Sequence, residues 1–330
     1  MGFAKDNAVS SVVGTILIIA IAITAIATVL GWGLPYMQSV KEQSQVESVT
    51  NQLENFNDLV KEVCREGKNA STIARIAIKD GTLYLDSDGE RFVIIYSMNT
   101  ANDYNFTVSD LDNDNESFSL SCSQSFTCTA TATWLNDSHT DTDTEDVGST
   151  PKWFNFNRGI NGMVRINLTD SGSTLLVGRI WVFDAGAIRY ELIGNGWYDV
   201  LLENGGIITT NSPTGGYLQD VYYWKKGSHF ALKIYQLNPS SEVTLSGATT
   251  YRFMLRSNGT YLRENRNETT YNFKMQVFGN FKDAWFDYFE WNLGFKESGD
   301  TIYLPTYTQS NPMTFSLTQS VCDVSYGGIG

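Results

Sequence analysis

Between Asn7 and Val40 the chain carries no charged side chain, and residues 8–34 read AVSSVVGTILIIAIAITAIATVLGWGL. A helix over Val9–Leu34 would be roughly 40 Å long at 1.5 Å per residue, enough for a hydrocarbon core of about 30 Å with some tilt. The run is too long for a secretory signal peptide, whose apolar centre holds about 7–15 residues, and Thr28–Trp32 makes a poor exit site for its peptidase. One reading is a plain single-span anchor. The other comes from small residues: Ser10/Gly14, Ala20/Thr24, Thr24/Thr28 and Ala27/Gly31 are small pairs four apart, the spacing that lets helix backbones approach closely in an apolar medium.

The segment Ala8-Val9-Ser10-Ser11-Val12-Val13-Gly14-Thr15-Ile16-Leu17 resembles the N-terminal motif of archaeal type IV pilins and archaellins, with Ser11 where proline is usual and Asp6-Asn7 where a basic residue usually stands. The resemblance implies a leader over residues 1–8, cut by a prepilin peptidase between Ala8 and Val9. It further implies a membrane/filament-core helix over 9–35 that packs through Ser10, Gly14, Ala20, Thr24, Ala27, Thr28 and Gly31 in a cell-surface filament. The implied partners are copies of the chain or other pilins, the membrane before assembly, and the assembly machinery. The implied location is the cell membrane and then an extracellular filament, with the bulk of the chain outside.

Gly31, Gly33 and Pro35 interrupt the apolar run and predict a kink or a locally melted turn. Beyond them Val46, Val49, Leu53, Phe56, Val60 and Val63 alternate at spacings of three and four, an apolar stripe that predicts an amphipathic helix over 36–67, ending at Gly67 as its C′ residue. Its expected role is to dock on the chain's own head, the alternative being packing between subunits.

From Ile73 onward the periodicity is that of strands. Ile73–Lys79, Thr82–Leu85 and Arg91–Tyr96 read as strands joined by turns at Asp80-Gly81 and Asp88-Gly89. Eleven further segments read alike: Asn105–Val108, Ser125–Trp134, Met163–Leu168, Leu175–Phe183, Ala187–Leu192, Trp197–Leu202, Phe230–Tyr235, Thr250–Arg256, Thr270–Phe278, Thr301–Leu304 and Met313–Leu317. Asp283–Trp291 reads as a short helix with Trp285, Tyr288 and Phe289 on one side. The fold class expected is α+β, a long N-terminal hydrophobic helix and a mainly antiparallel β-rich head over 68–330. Residues 136–151, acidic and closed by Pro151, are either a linker or a loop protruding from one continuous head, the second being preferred. Neither Asp110–Glu116 nor Asp141–Asp146 fits the EF-hand register, so both are read as solvated acid and no metal or other cofactor is expected.

A net charge of −13 argues against nucleic acid as a partner. In an exported chain the four cysteines suggest bridges: Cys122 with Cys128, five residues intervening, as a stapled hairpin, and Cys64 with Cys322; two other pairings and four reduced thiols remain open. Acceptor sequons for glycosylation stand at Asn69, Asn105, Asn115, Asn136, Asn167, Asn258 and Asn267. Tyr222, Tyr223 and Trp224 form an aromatic cluster that could serve adhesion or contacts between subunits, core packing being the plainer reading. His139 and His229 are far apart, no nucleophile elbow, zinc helix, P-loop or dinucleotide fingerprint occurs, and Asp283/Asp287 are better explained as a solvated helix face, so no catalytic residue is expected. The expectation is a pilin-like structural subunit, for adhesion or as a minor or tip subunit; the alternative is a single-span surface receptor or adhesin that does not polymerise.

Overall fold

A computed structural model describes residues 6–87, 89–98, 106–108, 111, 116–135, 139–194, 196–211, 217–219, 223–265, 269–308 and 310–329. Helix α1 (Asp6–Glu66) is followed by β1 (Ser71–Ile78), β2 (Thr82–Asp86), β3 (Arg91–Met98), β4 (Phe106–Val108), β5 (Ser117–Cys122), β6 (Phe126–Trp134), β7 (Thr140–Val147) and β8 (Lys152–Asn155). Next come β9 (Gly162–Asp170), β10 (Ser173–Asp184), β11 (Ala187–Ile193), β12 (Trp197–Glu203), β13 (Gly206–Thr210), β14 (Tyr217–Gln219), β15 (Tyr223–Lys226), β16 (His229–Pro239) and β17 (Val243–Ser246). The chain ends with β18 (Thr249–Glu264), β19 (Thr269–Phe278), α2 (Lys282–Leu293), β20 (Lys296–Ser298), β21 (Thr301–Tyr303) and β22 (Met313–Ile329). The fold is α+β, a long apolar N-terminal helix and a head of mostly antiparallel sheet.

The large sheet runs β1-β18-β22-β19-β3-β10-β9-β6-β7, with β16 lying parallel to β22; a second sheet runs β14-β13-β12-β11-β2-β17, and a third β4-β5-β8. Strand β3 explains why the large sheet is central. Its run Phe92-Val93-Ile94-Ile95-Tyr96 is apolar at every position, so both faces are buried: Phe92, Ile94 and Tyr96 join the core around α2, while Val93 and Ile95 join the core over the third sheet. A third core lies between the first two sheets and takes in α1.

Three expectations are corrected. The strands before and after Asp80-Gly81 do not form a hairpin: β1 and β3 belong to the large sheet and β2 to the second, because the tight turn at Gly81 (φ +86°) carries the chain across the core rather than back along it. The acidic segment 136–151 is not a loop throughout. Thr140–Val147 is the edge strand β7, whose alternation sends threonines to meet those of β6 (Thr129–Thr144, 3.2 Å) and carboxylates to the other side, where Asp143 accepts the Asn155 N–H at 2.9 Å and Asp141 that of Asn157 at 3.1 Å. Strands β6, β7 and β9, on both sides of this segment, share the large sheet with β1. Third, Gly31, Gly33 and Pro35 do not divide 9–35 from 36–67; α1 is helical throughout with Pro35 inside it. Proline removes one N–H and crowds the carbonyl four residues back, here Gly31, and beyond Gly31 a Cβ would meet only open space.

Candidate functional site

Among the described residues, the first half of α1 is not buried by any other element. Its most apolar window reaches a mean hydropathy of 2.7 and is 0% buried, and the helix is long and apolar enough to cross a membrane. At about 100° per residue, Ser10, Gly14, Ala20, Thr24, Ala27, Thr28 and Gly31 fall within an arc of about 140° on one side of it. Two features suit that side to apolar surroundings. Thr24 and Thr28 return their hydroxyls to the carbonyls of Ala20 and Thr24, each at 2.8 Å, so neither exposes an unsatisfied donor. Gly14 and Gly31 have nothing within 4 Å of where a Cβ would stand, leaving room for another backbone. Ala8, Val9 and Ser10 lie in the first turns of the helix, whose side chains are outside the described residues.

The second half is gripped by the head. Val49, Leu53, Phe56, Val60 and Val63 are all buried, with Val46 packed beside them, so the apolar stripe serves the chain's own head. Each such side chain contributes about 1.5–3 kcal/mol when fully buried. Polar groups set the register. Gln52 pairs with the backbone of Ala77 in both directions, accepting its N–H at 2.6 Å and donating to its carbonyl at 3.1 Å, and thereby covers the free edge of β1. Asn57 Nδ2 donates to Gly205 O at 2.9 Å. That carbonyl belongs to the two-residue turn Asn204-Gly205 between β12 and β13, both residues at positive φ (44° and 73°), the type I′ geometry of a tight hairpin. Asn204 is itself buried, accepting the Tyr235 N–H at 3.0 Å and donating to Tyr223 Oη at 2.6 Å. The Asn-Gly pair was a legible signal in the sequence; its burial against α1 was not. At the far end α1 stops at Glu66, with Gly67 at φ +104° and Thr260 Oγ1 donating to Cys64 O at 3.3 Å.

The expected bridges are not formed: Cys64, Cys122, Cys128 and Cys322 are buried free thiols. Cys122 ends β5 and Cys128 lies in β6, strands of different sheets, so the exposed residues 123–125 lead from one sheet to the other instead of closing a hairpin, although both thiols line one core. Burial, with Cys122 beside it, pushes the Cys128 thiol up to about 12. Cys64 and Cys322 do meet, as a hydrogen-bonded pair; the contact lowers Cys64 and raises Cys322.

Part of each aromatic cluster packs into the core, while Trp291 at the end of α2 is exposed. Tyr223 is half-buried, stacking on Phe289 at 5.3 Å and packing against Tyr288 and Trp285; Tyr222 and the side chain of Trp224 lie outside the described residues. Trp285 and Phe289 are fully buried, whereas Asp283 and Asp287 face solvent. Of the sequons, Asn69 is exposed and turns its Oδ1 to Arg256 (2.7 Å), Asn167 and Asn258 are half-buried, and Asn105, Asn115, Asn136 and Asn267 lie outside the described residues.

Two carboxylates that sequence pattern gave no reason to join meet in the head. Glu203 accepts the Glu90 N–H at 2.9 Å and the Trp285 indole N–H at 2.5 Å, while Glu90 accepts the Phe281 N–H at 2.6 Å, so the pair fastens the start of α2. Burial, and then the neighbouring Glu90 carboxylate, holds Glu203 well above the usual carboxylate range. A cavity of about 140 Å³ adjoins Glu90, with Arg189 on its lining. Among the described residues no group of three or more acidic, histidine or cysteine side chains is placed to hold a metal ion.

A family profile, described as a family of unknown function (DUF7289), matches residues 7–310. The chain belongs to this family. The DUF7289 match opens at the start of the apolar segment and continues through most of the head, so rod and head are matched as one unit. No curated protein and no solved structure matches the chain.

Proposed function

We propose that this DUF7289 protein is a pilin-like structural subunit, held in a membrane by the first half of α1 and assembled into a surface filament through that same segment. One observation carries the reading: about half of a 61-residue helix is apolar and, among the described residues, is not buried by the head, and seven of its small residues, from Ser10 to Gly31, share one side. Lipid can surround that side before assembly, and helices of further copies can replace the lipid without exposing backbone or hydroxyl donors. On this reading the leader ends at Ala8, the head faces outward, Asn69 is, among the described residues, the sequon most open to a glycan, and the role is structural, in adhesion or as a minor or tip subunit. The archaeal pilin resemblance of Ala8–Leu17 supports the same assignment.

The test is recovery of the protein from sheared cell-surface fibres, with the N-terminus of that material read directly. Fibres containing a chain that begins at Val9 are expected. A protein found only in the membrane fraction, with residues 1–8 still attached, would make it a fixed anchor for a non-polymerising surface ectodomain.

A further inference from the structure

We infer that the outer face of β1 and β18, which carries arginines, docks on the acidic side of α1 in a second copy of this chain, as a head-to-tail contact between heads. The inference rests on the reading that copies of the chain assemble, and it names the head surfaces that meet.

Strands β1 and β18 alternate in burial. Ala74, Ile76, Phe253 and Leu255 point into the core that holds α1. The alternate positions face solvent, and there Ile73 lies directly opposite Met254, the two being 54% and 50% exposed. One pair along the same face, Arg75 lies directly opposite Arg252; on the other side of Met254 stands Arg256, opposite Ser71, and all three arginines are exposed. Arg256 is held by Asn69 and marks the margin of the face, and Asp323, its neighbour on β22, accepts Asn238 Nδ2 at 2.7 Å. The charge therefore centres on Arg75 and Arg252. Like charges directly across a strand pair destabilise it, and an apolar centre beside guanidinium groups has the composition of a protein contact.

The complement lies on the opposite side of the same head. Helix α1 packs against β1 and β18 from their inner side. At about 100° per residue Glu47, Glu54, Asp58 and Glu62 fall within an arc of about 80°, turned about 180° from the buried Val49–Val63 stripe. Glu47, Asp58 and Glu62 are exposed and Glu54 is half-buried, with Lys61 and Arg65 closing the stripe at its upper end. Glu54/Asp58 and Asp58/Glu62 are like charges four residues apart, a second arrangement that repels itself. The spacings agree: Glu54 and Asp58 stand about 6 Å apart along the helix and Arg75 and Arg252 about 5 Å apart across the strands, so two carboxylates can meet two guanidinium forks. The acid of β7 is less suited, since Asp141 and Asp143 are spent on the backbone of residues 155 and 157. Because the two surfaces differ and lie on opposite sides, one copy can use both at once, and such a heterologous contact extends into a ring or a helical array instead of stopping at a dimer.

The experiment uses the full chain on the cells that make it, co-expressing two differently tagged copies, Met254→Cys and Asn55→Cys, both at exposed positions, and treating the cells with a short membrane-impermeant bis-maleimide. The native thiols are buried, so the reagent reads the new ones. An adduct joining the two tags is expected only when both variants are present. Adding Arg252→Glu to the first copy, or Asp58→Arg to the second, is expected to lower its yield about tenfold, and adding both to restore it. A yield that ignores the single reversals, or Met254→Cys copies that join only each other, would overturn the contact. Sheared fibres holding both copies without the adduct would assign the arginine face to another anionic partner and leave the filament reading intact. The adduct in membranes of cells that bear no fibres would uphold the contact and remove the filament reading, and neither adduct nor fibres would remove both.

Discussion

Glu203 is a carboxyl group with no access to water and a second carboxylate beside it. Its pKa is raised in the folded head, so the folded state binds the proton more tightly than the unfolded chain does. Stability from that proton is complete below the ordinary glutamate range and is lost as pH rises through the elevated folded value. The melting temperature of the head is expected to fall across that window, and Glu203→Gln to flatten the slope in a series of thermal scans; a slope unchanged by the substitution would place the titration elsewhere. The thiols give a second outcome at this scale. Alkylation in denaturant without reductant should attach four adducts by mass, and alkylation of the native protein very few, since all four cysteines are buried.

Helix α1 divides by energetics rather than by secondary structure. Phe56 is fully buried and meets Phe253 edge-on at 5.9 Å, so Phe56→Ala is expected to lower head stability by about 3–5 kcal/mol in denaturant titration. Pro35 sits outside that grip. Pro35→Ala restores a donor for the Gly31 carbonyl and should slow amide exchange around residues 31–35 while leaving the head's unfolding midpoint unchanged. What the sequence revealed follows the same division. The Val46–Val63 stripe was legible because a three-four spacing has one amphipathic meaning, and strands such as Arg91–Tyr96 because an unbroken β-branched and aromatic run suits a doubly buried strand. The acidic strand β7 was hidden, since its stabilising contacts are threonine pairs and carboxylates reaching for the backbone of residues 155 and 157, which composition alone reports as loop. The Glu90–Glu203 contact was hidden for another reason: 113 residues separate the partners, and only the assembled sheets bring them together.

At the scale of the whole molecule, head and span are separable in stability. Removing residues 1–40 deletes a segment with almost no contact to the head, so the remaining chain is expected to melt at the wild-type temperature and to stay in solution without detergent. Removing residues 1–66 strips the core between the two larger sheets of Val49, Leu53, Phe56 and Val60 and should leave no cooperative transition. Calorimetry of the two truncations distinguishes these outcomes.

A single helix runs from the apolar segment into the centre of the head, and Gln52 and Asn57 fix its rotation there. On the proposed membrane-held reading, torque applied to the head therefore reaches the apolar turns as tilt and twist of one lever, with the missing hydrogen bond at Pro35 as its most compliant point.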